Sequence, residues 1–151
     1  YLRGLCQRNE LATVGFDLLD HHLVLDEVDV PLCAIACETD HIAPWKDSYR
    51  GVQKMGSKDK TFIMTQSGHI AGIVNPPSKK KYGHYTNEDL TLDNTDWQAG
   101  ADFHEGSWWP RWGKWLKKQS GKQVAARIPG DSTHEILCDA PGTYVVVKST
   151  D

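Results

Sequence analysis

No apolar run in these 151 residues approaches the roughly 18–20 that cross a bilayer as a helix, and no secretory signal pattern is visible. A membrane span is therefore not expected. Neither sign of charge dominates: 17 basic residues stand against 20 acidic ones. The resulting net charge of −3 argues against a general nucleic-acid binder, which would carry a basic excess. Cysteine is sparse, at Cys6, Cys33, Cys37 and Cys138 only. Cys33 and Cys37 fall in an apolar run that reads as a strand, where positions four apart lie about 13 Å from each other. That is too far for one disulfide or one tetrahedral zinc, so reduced thiols acting as small hydrophobes are expected. His21, His22, His84 and His104 form no HExxH set, no CxxC pair exists, and no metal is expected. Repeats and low-complexity segments are missing too. Most telling, no G-x-S-x-G or G-x-C-x-G string occurs anywhere.

What is present fits a globular chain: 39% hydrophobic, 25% charged, with 13 glycines and 7 prolines. The length suits one domain or a piece of a larger one. Because the sequence opens at Tyr1 in what reads as a helix running to about Glu10, we expect a fragment. Residues 11–27 read as irregular structure or a brief strand. Leu32-Cys33-Ala34-Ile35-Ala36-Cys37 is apolar without alternation, which predicts a strand buried on both faces of a parallel sheet. Pro44 then introduces a helix in which Trp45, Tyr49, Val52 and Met55 share one face, with Gly56 just past its end. Thr61–Thr65 is a second strand. Strand, helix, strand makes a βαβ unit, and in such sheets ligands gather at the strands' carboxyl ends.

Residues 75–95 read as an ordered excursion without regular structure. Ser107 is placed to cap a helix from Trp108 to about Gln119. Trp108, Trp112 and Trp115 make one aromatic face of it, with Trp109 and Leu116 on a neighbouring stripe. Packing against the sheet is the ordinary reading of such a stripe, and an interfacial anchor is the alternative. Thr143–Val147 reads as a terminal strand.

The constellation with chemical content is Asp40 and His69, one at each strand's carboxyl end and 29 residues apart. A carboxylate there can hold an imidazole in one tautomer and stabilise its protonated form, leaving the other nitrogen as general base. This is the acid-then-histidine order of α/β-hydrolases, whose nucleophile comes earlier. Taken singly, an Asp after a strand is a turn residue and a Gly-His is a surface loop. Together in one βαβ frame they favour catalysis. Gly4-Leu5-Cys6-Gln7-Arg8 is the nearest approach to a nucleophile elbow, but it ends in arginine and follows no strand. Cys6 is therefore not the nucleophile, and the oxyanion hole would lie upstream as well.

The strings Asp40-His41-Ile42-Ala43-Pro44-Trp45, Ser67-Gly68-His69-Ile70-Ala71-Gly72-Ile73-Val74-Asn75-Pro76-Pro77 and Gly106-Ser107-Trp108-Trp109-Pro110-Arg111-Trp112 resemble the C-terminal third of the polyhydroxyalkanoate synthases, class I type. The resemblance runs along essentially the whole chain. It implies the C-terminal part of an α/β-hydrolase fold: a mostly parallel sheet with flanking helices, lacking its N-terminal strands and nucleophile elbow. Residues 1–27 would be the end of the lid and its return to the core, and 28–151 the part carrying the acid and the histidine. It further implies polymerisation of (R)-3-hydroxyacyl-CoA into polyester with release of CoA on a catalytic cysteine that this chain does not contain. His69 would activate that thiol and Asp40 would be its acid partner, also helping to activate the 3-hydroxyl group. His41 matches a family histidine near the active site.

No cofactor is implied, since the CoA thioester is substrate. The family resemblance also implies a cytoplasmic enzyme at the polyester granule surface, commonly a homodimer. Lys79-Lys80-Lys81 read first as solvated loop charge; the alternative is contact with CoA phosphates. Alone, this chain is expected to be inactive. Rival readings are a thioesterase, depolymerase or esterase on the same Asp/His frame, and a non-catalytic truncated paralogue acting as a binding module.

Overall fold

The computed structural model describes residues 1–149, in two compact units divided between Ser120 and Gly121. In the first unit a π-helical turn, Leu2–Gln7, is followed by a two-stranded antiparallel hairpin, β1 (Phe16–Leu18) and β2 (His21–Leu23). The central layer is a four-stranded sheet of β3 (Leu32–Cys37), β4 (Lys60–Thr65), β5 (His84–Thr86) and β6 (Asp102–His104), adjacent in that order. Three helices accompany it: α1 (Trp45–Lys54), α2 (Asn94–Ala99) and α3 (Trp109–Gln119).

The βαβ unit forms as expected, with β3 and β4 parallel across α1. The sheet as a whole is mixed rather than mostly parallel. β4–β5 and β5–β6 are both antiparallel, because the return from β4 and the link through α2 bring each next strand in from the end where the last one finished. The class is α/β, and its parallel part is one strand pair. β3 is also less buried than its unbroken apolar run suggests. It lies at an edge of the sheet, and only Ala36 and Cys37 are buried.

Strand alternation divides the sheet into two faces. Ala36, Phe62 and Met64 point toward α1 and form the core with Trp45, Tyr49, Val52 and Trp97, joined at its margin by Leu32, Ala34 and Tyr85. The aromatic rings pack edge-on or tilted, with Tyr49, Phe62 and Trp97 centroids 5.2–5.4 Å apart, the arrangement that ring quadrupoles favour. Asp93 caps α2, its carboxylate accepting from the Thr95 and Asp96 amides. That cap positions Trp97 over the sheet. Gly56 follows α1 for a reason of space: a Cβ there would meet the Asp26 carbonyl oxygen at 1.8 Å.

Two further expectations change. The stretch 75–95 contains β5, a 3-10 turn at Pro77–Lys79 and the start of α2. The aromatic stripe of α3 is only partly buried: Trp108 is buried just before the helix and Trp115 is half-buried, whereas Trp112 is exposed, as are Trp109 and Leu116 on the neighbouring stripe. Ser107 does act at this helix start, its hydroxyl accepting from the Trp109 amide at 3.1 Å. In the second unit, Tyr144–Val146 is a single 3-10 turn and not a strand; no partner strand is present for it among the described residues. An Asx turn at Asp131, accepting from the Thr133 and His134 amides, organises the middle of that unit.

Candidate active site

Two loops leave the carboxyl ends of the parallel pair β3 and β4, and backbone hydrogen bonds stitch them together. The Glu38 amide donates to the Thr65 carbonyl at 2.8 Å and the Thr39 amide to that of Ser67 at 3.2 Å. Asp40 follows at once. Its carboxylate divides its work. Oδ1 accepts from the amides of Ile42 (2.8 Å) and Ala43 (3.0 Å), fixing the turn into α1, and Oδ2 lies 2.7 Å from His69 Nδ1.

The Asp40 side chain is only 6% exposed, whereas that of His69 is 47% exposed. The Ala43 amide, with His69 and the Ile42 amide, holds the Asp40 carboxyl down at about 2, against the opposing effect of its burial. It is therefore an anion throughout the neutral range. An acceptor-only carboxylate at Nδ1 places the imidazole proton there and leaves Nε2 with its lone pair.

The His69 loop is built to hold one shape. Ser67 takes the left-handed backbone conformation, φ +76°, so the turn's unusual torsion falls on serine and not on Gly68. Gly72 is needed for space, since a Cβ would meet the Gln66 carbonyl oxygen at 2.6 Å and Cys37 Sγ at 2.9 Å. Backbone bonds close the turn, Gly72 amide to Gly68 carbonyl and Val74 amide to Ile70 carbonyl. Two indoles clamp it from outside: Trp108 Nε1–H donates to the Gly72 carbonyl at 3.0 Å and Trp109 Nε1–H to that of Ile73 at 2.9 Å. Sequence reasoning missed this role. The signal is the Trp-Trp pair, whose periodicity points to packing and does not report where the indole N–H groups find acceptors.

The remaining predicted positions are more loosely placed. His41 is exposed beside Asp40, with no hydrogen-bond partner among the described residues. Lys79, Lys80 and Lys81 are exposed on the 75–83 loop, which enters β5 at the sheet end from which the His69 loop departs. Buried Asn75 pins that loop by donating to the Lys81 and Tyr82 carbonyls. None of the four free cysteines is a hydrogen-bond partner of His69 among the described residues. Cys37 is buried, and desolvation, with the nearby Asp40 charge, pushes its thiol up despite the Ile73 amide. Such a thiol is a structural one. Cys6 and Cys138 are exposed, contrary to the small-hydrophobe reading. No cluster of three metal-ligating side chains occurs among the described residues.

No protein-family model matches the chain. Individual relatives do, end to end. It is 43% identical to the poly(3-hydroxyalkanoate) polymerase of Methylorubrum extorquens over 150 residues, which is 99% of this chain and 25% of that protein. The poly(3-hydroxyalkanoate) polymerase subunits PhaC of Rhizobium etli and Cupriavidus necator are each 38% identical, again over 99% of this chain, and 23% and 26% of theirs. By sequence, the chain belongs with the poly(3-hydroxyalkanoate) polymerases. It spans about a quarter of the length of these curated relatives. No helix among the described residues is long and apolar enough to cross a membrane.

Proposed function

We propose that this chain is the C-terminal part of a polyhydroxyalkanoate synthase and supplies the acid and the base of its active site. The observation that carries the reading is the 2.7 Å contact between a carboxylate held by backbone amides and a half-exposed imidazole. His69 Nε2 takes the proton of a cysteine thiol contributed by another part of the full-length protein. The thiolate attacks the thioester carbonyl of (R)-3-hydroxyacyl-CoA, the carbon–sulfur bond to CoA breaks, and the CoA thiolate leaves with the proton from the imidazolium. In elongation the 3-hydroxyl of an acyl unit gives up its proton to His69 Nε2 and its oxygen attacks the enzyme-bound thioester. An ester forms as the carbon–sulfur bond breaks, and the cysteine sulfur departs with the proton from the imidazolium. Asp40 stabilises the imidazolium at each step and helps activate the 3-hydroxyl.

In this reading the full-length enzyme is a cytoplasmic homodimer working at the polyester granule surface, and the exposed Lys79–Lys81 run faces CoA phosphates. The α/β-hydrolase frame is supported by the parallel β3–α1–β4 unit with acid and histidine at its two carboxyl ends. The test is turnover of (R)-3-hydroxybutyryl-CoA by the full-length protein. His69→Ala and Asp40→Asn are each expected to cut polymer formation by about 10³-fold or more while circular dichroism is unchanged. Wild-type rates in either variant overturn the assignment. CoA release with only free acid as product would make the protein a thioesterase.

A further inference from the structure

Both ring nitrogens of His22 face groups that can only accept. Nδ1 lies 2.7 Å from Asp17 Oδ1, and Nε2 lies 3.0 Å from the Val14 carbonyl oxygen. A neutral imidazole carries one proton and can donate to one of them, whereas an imidazolium donates to both. In the neutral ring the bond to the carboxylate, the stronger of the two, keeps the proton. The Nε2 lone pair then opposes the lone pairs of the Val14 carbonyl. The geometry is that of the charged ring. Gly15 makes it possible: its backbone is left-handed, φ +96°, and a Cβ there would run into His22 Nε2.

The hairpin has little else to hold it. β1 and β2 are three residues each, and no residue of either is buried. An isolated two-stranded ribbon is marginal in water. Its turn places Leu19 and Asp20 at φ +48° and +64°, torsions that Asn-Gly adopts far more readily than a leucine does. The charges that act on the ring are both negative: Asp17 on β1, and Glu27 in the 3-10 turn after β2. On the other side the Glu10 carbonyl accepts from the Val14 and Gly15 amides, while its carboxylate pairs with Arg8 at 2.9 Å. His21, one residue along β2, points to the opposite side of the strand. The Asp17 bond raises the His22 proton affinity above the usual 6.5; desolvation opposes it, and the Val14 carbonyl and the Asp17 and Glu27 charges add to it. We propose that His22 is a pH-sensitive latch: as an imidazolium it fastens Val14 and the turn before it to β2, and as a neutral ring it releases Val14 while keeping Asp17. Release loosens the hairpin and leaves the four-stranded sheet intact. The inference does not depend on the roles of Asp40 and His69.

A folded proton affinity above the unfolded one makes the latch complete below 6.5 and undoes it as pH rises through the raised folded value. Hydrogen exchange of the full-length protein, read by mass spectrometry from pH 5.5 to 9, tests this, with each rate taken relative to an unstructured peptide at the same pH. Protection of residues 14–24 should fall by about tenfold across the range, the worth of one hydrogen bond to a charged group. The midpoint should lie above 6.5, and β3 and β4 should hold their protection. His22→Gln, which cannot titrate, should give a flat curve, and His21→Gln should keep the drop. Asp17→Asn should move the midpoint down. The Asp17 side chain is 85% exposed, so this variant decides if His22→Gln disrupts the hairpin outright. Constant protection of the wild-type hairpin, the same drop in His22→Gln, or an unmoved midpoint in Asp17→Asn overturns the latch.

Discussion

The two faces of the same four strands solve the burial of polar atoms in opposite ways. Toward α1 the two fully buried polar rings of the aromatic core both use their polar atoms: the Tyr49 hydroxyl donates to the Leu92 carbonyl at 2.9 Å and Trp97 Nε1–H to that of Asn87 at 3.3 Å. Toward α3, one residue along each strand, His84 and Trp115 keep unpartnered atoms and charged side chains ring an open cleft. Alternation alone separates a sealed core from a polar hollow. The dyad stands at the strand ends, where loops from the sealed side (Asp40, running into α1) meet a loop clamped from the α3 side (His69, under Trp108 and Trp109). Each face therefore supports one half of the pair.

The largest break in this comparison should come from the sealed face. Trp97 is fully buried among Trp45, Tyr49 and Phe62. Trp97→Ala should cost about 3–5 kcal/mol in urea unfolding, the range for deleting a large buried aromatic. A smaller loss, near 1 kcal/mol, would mean that the core is less tightly packed than its ring distances indicate.

Trp108→Phe sharpens the link between the α3 side and the dyad. The ring volume largely survives, while the bond to the Gly72 carbonyl is lost. A stability cost of about 0.5–1.5 kcal/mol is expected. Because Gly72 closes the turn that carries His69, kcat should fall with KM nearly unchanged. Equal changes in both parameters would separate the clamp from catalysis.

A pH series probes the polar face directly. Burial, then the neighbouring His104 and Arg111 charges, lower the His84 proton affinity below its ordinary value of 6.5, against the Gly106 carbonyl bond that raises it. A folded value below the unfolded one favours the neutral ring on folding. That contribution to stability is complete above 6.5 and is lost as pH falls through the depressed folded value. Denaturation midpoints measured from pH 8 to 5 should drop more steeply for wild type than for His84→Gln. Parallel curves would remove His84 from the pH response.

Much of the site was legible in the sequence because it rests on local signals. Asp40 and His69 each follow an apolar strand directly, so a βαβ reading brings them to one end of the sheet. The antiparallel half was not legible. β5 and β6 are three residues each, His-Tyr-Thr and Asp-Phe-His, too short for alternation to stand out, and their pairing is set by contacts distant in sequence. The clamp and the cleft failed for another reason. Tryptophan periodicity reports where rings lie on a helix, and says nothing about where an indole N–H finds its acceptor.

Leu116 offers the smallest effect and the cleanest contrast. The sequence places it on an apolar stripe that ordinarily faces a core, yet in the fold it is 40% exposed on α3. A core leucine truncated to alanine loses about 2–5 kcal/mol. At an exposed helical position the loss of contact is small and alanine's higher helix propensity offsets part of it. Leu116→Ala should therefore shift stability by no more than about 0.5 kcal/mol, read from the urea midpoint. A cost in the core range would show that, in the full-length protein, another element covers this side of α3, and the two faces of the sheet would then differ in chemistry but not in enclosure.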